Sequence, residues 1–384
     1  MRKNLSMVDL FAGAGGFTLG FIKANGKHRA FGFDIQLLVD IDNMAAFTFK
    51  KNFPKFRYWV ADLNKIGGTD ILSLLKIKQG SLDFLIGGPP CQGFSPSGKR
   101  WLEDNRNLLI KRFIRIALEV RPKCAIIENV PGALSAIPRI FNEEIQEAFS
   151  DYLVKVSILN AAEFGVPQIR KRAFIIAIRA DLGIKDFEFP KGNFDAIENG
   201  VELHAEKKGN QRFISVEDAI GDLPPLKAGE IADGMKYPNN PLTDYQRDRR
   251  VGSIAIFNHV ARSHSEEFLK KISIIKPGES NADLPGDQKF SENYYSQAYA
   301  RLHPNGIGFT ITAHFRNPGS GRFMHYRDNR SITVREAARL QSFDDRFIFH
   351  GYETDQERHV GNAVPPLLAE SLANHLGKII ALVE

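Results

Sequence analysis

The stretch GGPPCQGFS, residues 87–95, sets Cys91 behind two prolines, directly after the apolar run Leu82 to Ile86. A free thiol has an ordinary pKa of about 8.5, so it turns nucleophilic only where exposure and positive charge favour the thiolate. A stiff loop at the end of a buried strand supplies the exposure, and Lys99, Arg100 and Arg106 supply the charge. The only other cysteine, Cys124, sits inside an apolar run and reads as structural. Two cysteines build no disulfide framework, and their spacing matches no zinc site. Glu128, in IIENV, follows a second buried run and precedes Pro131. Partial burial would raise its pKa and let it carry a proton near neutrality; the plain alternative is a cap on the next turn. In PQIRKRAF, Gln168, Arg170 and Arg172 alternate. In an extended segment Arg170 and Arg172 would face one side, towards an anionic or carbonyl-bearing ligand, or towards solvent on an edge strand. Cys91 and Glu128, each at a strand's carboxyl end, together point to a site.

These residues need a scaffold, and the first 180 residues supply one. Met7 to Phe11, Ala30 to Phe33, Arg57 to Ala61, Leu82 to Ile86, Cys124 to Ile127 and Arg172 to Arg179 read as strands. Between them lie helical patterns to about Asn25, over Asp42 to Phe53, and through Leu109, Phe113, Ile116 and Val120. Alternation of this kind predicts an α/β fold with a mostly parallel sheet. The turn in DLFAGAGGF lets backbone approach a ligand at the sheet's carboxyl edge, but Gly13, Gly15 and Gly16 do not give clean dinucleotide spacing. Asp34, Asp40 and Asp42 are each candidates for a ribose acid. From about Phe187 glycine, proline, asparagine and charge become dense and periodicity fades, until TVREAARLQSF restores a helix with Thr333 and Glu336 at capping-box spacing. The net charge of +6 leans towards an anionic partner such as nucleic acid. No signal peptide or membrane-length apolar run is present, so a cytoplasmic location is expected.

Taken together, DLFAGAGGF, GGPPCQGFS, ENV, QIRKRAF, NRSITVREAARLQSF and RHVGNAVPPLLAE resemble, in order and spacing, six motifs of the DNA cytosine-C5 methyltransferase family of the bacterial restriction–modification type. The resemblance covers roughly residues 5–182 and 328–384. It implies a Rossmann-like catalytic domain from 1–184 and 336–384, with a smaller, loop-rich target-recognition domain over 185–335. It implies S-adenosylmethionine as cofactor, with Phe11 on the adenine and Ala12, Gly13, Ala14, Gly15 and Gly16 around the methionine part. Asp40 would hold the ribose and Asp62 the adenine amino group. Leu63, Pro90, Leu109, Asn362, Ala363 and Val364 would complete the pocket. Ile41 stands where the family often has an aromatic, so aliphatic packing would replace stacking.

The same resemblance assigns the chemistry. The Cys91 thiolate would add to carbon 6 of cytosine and make carbon 5 enamine-like. A protonated Glu128 would hold ring nitrogen 3, and Arg172, supported by Arg170, the carbonyl at position 2. The base would be flipped out of a DNA duplex. Gln92, Ser95, Ser97 and Arg106, in a loop that closes as a lid, would touch DNA. So would Arg301, Arg316 and Arg322, in a segment rich in arginine, histidine and glycine. No metal is implied. A monomer is expected, with a restriction endonuclease as a possible partner on the same site. The rival readings are a tRNA cytosine-5 methyltransferase, a catalytically inactive DNA-binding relative and, remotely, a nicotinamide dehydrogenase.

Overall fold

The structure is a computed structural model, and it describes residues 2–90, 108–136, 145–195, 211–290 and 296–383. The chain divides into two compact units. One comprises Met1–Asn160, Lys171–Lys191 and Pro366–Glu384, and the other Ala161–Arg170 and Gly192–Pro365.

The first unit is built on seven strands: β1 Lys3–Leu10, β2 Phe31–Asp40, β3 Tyr58–Val60, β4 Phe84–Gly87, β5 Cys124–Asn129, β6 Tyr152–Asn160 and β7 Lys171–Arg179. They form one sheet in the order β3-β2-β1-β4-β5-β7-β6. β1 to β5 are parallel, whereas β7 runs antiparallel to both β5 and β6. Helices α1 Gly16–Ala24, α2 Asn43–Asn52, α3 Gly68–Leu75 and α4 Leu108–Val120 lie between the parallel strands. Asp42 caps α2 by accepting from the amides of Met44 and Ala45 at 2.9 and 3.1 Å.

The apolar runs that mark β1, β4 and β5 are buried because helices cover the sheet. Phe113, Ile116, Ala117 and Val120 of α4 pack against Val8, Leu85, Ala125 and Ile127. Elsewhere Phe21, Phe31, Phe33 and Phe84 meet edge to face, with centroids 4.8 to 5.8 Å apart. The C-terminal helix Pro366–Ala381 packs against α1, so closely that a Cβ at Gly20 would lie 2.3 Å from Ala369 Cβ and 2.4 Å from the amide of Glu370.

The second unit has a different texture. Its helices are short, among them Val216–Ile220, Asp244–Arg250 and Glu266–Ser273. Charge is buried around the helix Val334–Leu340. Thr333 and Glu336 form the capping box, the Glu336 carboxylate accepting from the Thr333 amide at 2.7 Å. Arg330 grips the same carboxylate with two bonds of 2.8 Å, which holds the Glu336 carboxyl well below its usual range despite burial. Arg339 pairs with Asp345 and Asp222. Buried charges persist here because each is paired and hydrogen-bonded.

Among the described residues no helix is long and apolar enough to cross a membrane. The contact at Gly20 is directly testable. Gly20→Val is expected to destabilise the protein by about 1–3 kcal/mol through overpacking, read as a lower urea midpoint. An unchanged midpoint would mean that α1 and the C-terminal helix do not meet this closely in solution.

Candidate active site

Parallel strands bring Leu10, Asp40, Val60, Gly87 and Asn129 to one edge of the sheet. The reversal of β7 brings its first residues to that same edge. Two clusters result.

The first surrounds the turn between β1 and α1. Phe11, Gly13 and Gly15 take positive φ of 57°, 52° and 86°. At Gly15 a side chain is excluded, because a Cβ would lie 2.4 Å from the Phe49 ring. At Gly13 the space is open, with nothing within 4 Å of a Cβ. Asp40 pins the turn: its Oδ2 accepts from Gly13 N at 2.8 Å, and its Oδ1 from Asp42 N at 2.9 Å. Burial raises the Asp40 pKa, against the lowering pull of these amides. Tyr58 Oη donates to Gly13 O at 2.7 Å. Ile41 is 66% exposed beside Asp40. Phe11 packs against the cluster that holds buried Leu63, Val39 and Phe113. Asp62 Oδ1 accepts from the backbone and side-chain nitrogens of Asn64 at 2.9 and 3.1 Å. Leu109 is half-buried at the start of α4.

Asp9 belongs to this cluster and was not singled out by the sequence reading. It is buried at the end of β1, and Thr18 Oγ1 donates to its Oδ2 at 2.5 Å. Desolvation pushes its pKa from 3.8 up to about 8, opposed by Thr18 and aided by Asp40. The signal was an acid inside the apolar run MVDLF. Tyr58 left no comparable signal, since an aromatic on a strand is ordinary core.

The second cluster is the pair Glu128 and Arg172. In the β5–β7 ladder Glu128 lies opposite Phe174, so Arg172, two residues away, projects to the same face. Arg172 Nε is 3.0 Å from Glu128 Oε1, and Arg172 Nη1 donates to Lys171 O at 2.7 Å. Burial lowers the Arg172 pKa, and Glu128 opposes that shift. The start of the cysteine loop borders this pair. A Cβ at Gly88 would lie 3.0 Å from Glu128 Oε2, and Asn129 Nδ2 donates to Pro89 O at 3.2 Å. Pro90 follows, exposed. Cys91, Gln92, Ser95, Ser97 and Arg106 lie outside the described residues.

The second unit holds the remaining residues singled out in the sequence. Asn362 is exposed at the end of the helix Glu353–Asn362, Ala363 is extended and Val364 is buried. Arg170, expected beside Arg172 on one face of a strand, precedes β7 and is buried within this unit, bonded to the carbonyls of Ile311 and Gly361. The arginines expected to meet DNA are all buried. Arg301 spends all five donors on the carbonyls of Ile275, His325, Asp328 and Ile272 and on Asn329 Oδ1. Arg322 donates to Gln297 Oε1 and to the carbonyls of Gly278 and Arg301. Buried Arg316 pairs with Glu353 at 2.6 Å. A loop-rich lobe has few backbone ladders to satisfy its carbonyls, and arginine forks supply the missing donors.

A sheet of this order, with its seventh strand reversed and a glycine turn and acid at its carboxyl edge, is that of the S-adenosylmethionine-dependent methyltransferases. The family model for C-5 cytosine-specific DNA methylases matches residues 5–378. The chain is 35% identical to the type II methyltransferase M.DdeI of Desulfomicrobium norvegicum, over 97% of this chain and 88% of that one. It is also 35% identical to M1.HphI of Haemophilus parahaemolyticus, over 98% and 87%. A prophage-encoded E. coli protein assigned to DNA modification methyltransferases superposes with a TM-score of 0.73 at 26% identity, covering 97% of this chain and 99% of that one. The chain belongs to the C-5 cytosine-specific DNA methylases, of the bacterial restriction–modification type, and is by that membership a DNA (cytosine-5)-methyltransferase.

Asp9 makes stability depend on pH. Between pH 3.8 and about 8 the unfolded chain has lost the Asp9 proton while the folded protein keeps it, so this residue's contribution falls as pH rises through that window. Asp9→Asn is therefore expected to gain stability over the parent at about pH 8 but much less at about pH 4. Urea midpoints that differ equally at both pH values would contradict this.

Proposed function

We propose that the protein methylates carbon 5 of a flipped-out cytosine in a specific short duplex DNA sequence, through a covalent Cys91 adduct at carbon 6. The observation that carries this reading is the Glu128–Arg172 pair bordered by Gly88 and Pro89, the residues that lead into Cys91. Host protection within a restriction–modification system, in the cytoplasm, is the role that fits such chemistry.

The turn supports S-adenosylmethionine as cofactor. It is open at Gly13, edged by Asp40 and flanked by exposed Ile41. Phe11, Ala12 to Gly16, Asp40, Ile41, Asp62, Leu63, Pro90, Leu109 and Asn362 to Val364 would hold it. Bound there, it supplies an electrophilic methyl group. The chain's own residues prepare the base. Addition of the Cys91 thiolate to carbon 6 breaks the ring's 5,6 double bond and makes carbon 5 nucleophilic. Nitrogen 3 gains electron density in that step, and a proton held by Glu128 neutralises it. Arg172 donates to the carbonyl at position 2 and fixes Glu128. Loss of the carbon-5 proton then expels Cys91 and restores the ring.

By role, we assign 1–184 with 336–384 to catalysis and 185–335 to target recognition. Within the latter, buried Arg301, Arg316 and Arg322 shape the reading surface, and the exposed Thr312, His314 and Asn317 are better placed to touch DNA.

Labelled methyl transfer to mixed duplex DNA, run beside tRNA, tests the reading. Label is expected in DNA, with Cys91→Ala lowering it on the order of a thousandfold or more. Duplex carrying 5-fluorocytosine should trap the parent protein covalently, because fluorine at carbon 5 blocks the final elimination. Label in tRNA alone would overturn the substrate. Transfer that survives in Cys91→Ala would overturn the mechanism.

A further inference from the structure

Arginine is plentiful in the second unit, and most of it is already engaged. Arg301, Arg316 and Arg322 are buried. Of the exposed arginines among its described residues, Arg247, Arg327, Arg346 and Arg358 pair with the carboxylates of Asp244, Asp328, Asp344 and Asp355. Arg212 lies over the Phe213 ring. Arg262 differs from all of these. It is exposed, and among the described residues it forms no ion pair and spends a single donor, Nη1 on Arg316 O at 3.2 Å. Four of its five N–H groups are left for a ligand, including the whole Nε–Nη2 edge.

The fold holds this guanidinium from both sides. Before it, Ala261 is buried and its amide donates to Glu230 O at 2.9 Å. After it, Ser265 caps the helix Glu266–Ser273, its Oγ accepting from Phe268 N at 3.3 Å. The carbonyl that anchors Nη1 is fixed as well, because the buried Arg316 side chain reaches Glu353 at 2.6 Å. A fork anchored in this way gives up little freedom when it binds. Arg262 also stands beside the segment 312–320, with its exposed Thr312, His314 and Asn317. That segment is folded on itself: Asn317 N donates to His314 O at 3.0 Å, and Ser320 Oγ to the carbonyls of His314 and Asn317, both at 2.7 Å. Burial raises the Glu357 pKa, and Arg316, Arg262 and His314 oppose that shift, so all three lie close to one carboxylate. Arg316 is the one that engages it, at 3.7 Å.

We propose that Arg262 is a specificity-determining residue whose Nε–Nη2 edge donates to O6 and N7 of a guanine in the major groove of the target duplex. Two parallel donors match those two acceptors, and no other base edge presents them. The proposal rests on the reading above, that the protein methylates a specific short duplex sequence.

The test first maps the cytosines that the parent protein methylates in mixed duplex DNA, which gives the site. Duplexes with each single base-pair change in that site then give relative kcat/KM for the parent, Arg262→Ala and Arg262→Lys, each with the urea midpoint of the parent. Both variants are expected to lose roughly ten- to a hundredfold of discrimination at one G·C pair and to keep it at the others. Arg262→Lys retains the charge and loses the fork, so the same pattern in it separates base reading from charge alone. An equal loss on every duplex, with the salt dependence of DNA binding shallower by about one, would make Arg262 a phosphate contact and overturn the proposal. Discrimination kept in either variant would overturn it too, while methyl transfer by the parent still stood. Absence of transfer by the parent would overturn the underlying reading and this proposal with it.

Discussion

The reversal of β7 is the constraint on which the candidate site depends. In a wholly parallel sheet the first residues of the strand beside β5 would lie at the amino edge, away from the end of β5. Antiparallel pairing places Lys171 and Arg172 at the carboxyl edge instead, with the ladder register setting Arg172 on the same face as Glu128. The pair then meets at 3.0 Å beside the loop that leaves β4. Breaking such a buried pair leaves an uncompensated charge, so register and site protect each other.

The turn beside β1 is built with comparable economy. Asp40 and Tyr58 pin Gly13 through its amide and its carbonyl, and Asp9 and Thr18 tie the end of the strand to the helix that follows. These bonds set a backbone conformation that the positive φ of Phe11 would otherwise make costly. Pre-organisation of this kind lets a ligand bind without first ordering the turn.

Much of this was legible in the residues. The buried runs, the glycine turn, the capping box at Thr333 and the motif order carried the α/β class and the family, because period and spacing are local signals. β6 was missed: it is an edge strand with Val156 and Ile158 exposed, and no turn signal sets it apart. The direction of β7 was missed too, because strand polarity depends on where a connection goes and not on what the strand contains. The arginines show the same limit. Arg172, Arg170 and Arg301 look alike in sequence, yet one faces a carboxylate and two are spent on backbone carbonyls. Composition announces positive charge, but only the fold decides whether it meets a ligand or a loop.

The most direct measurement of the central claim is a double-mutant cycle on methyl transfer with Glu128→Gln, Arg172→Gln and the two combined, each on folded protein. If the pair acts as one device, the double variant will lose little more activity than the worse single variant. Losses that multiply would mean that the two residues work independently, and the β5–β7 register would then not be what makes the site.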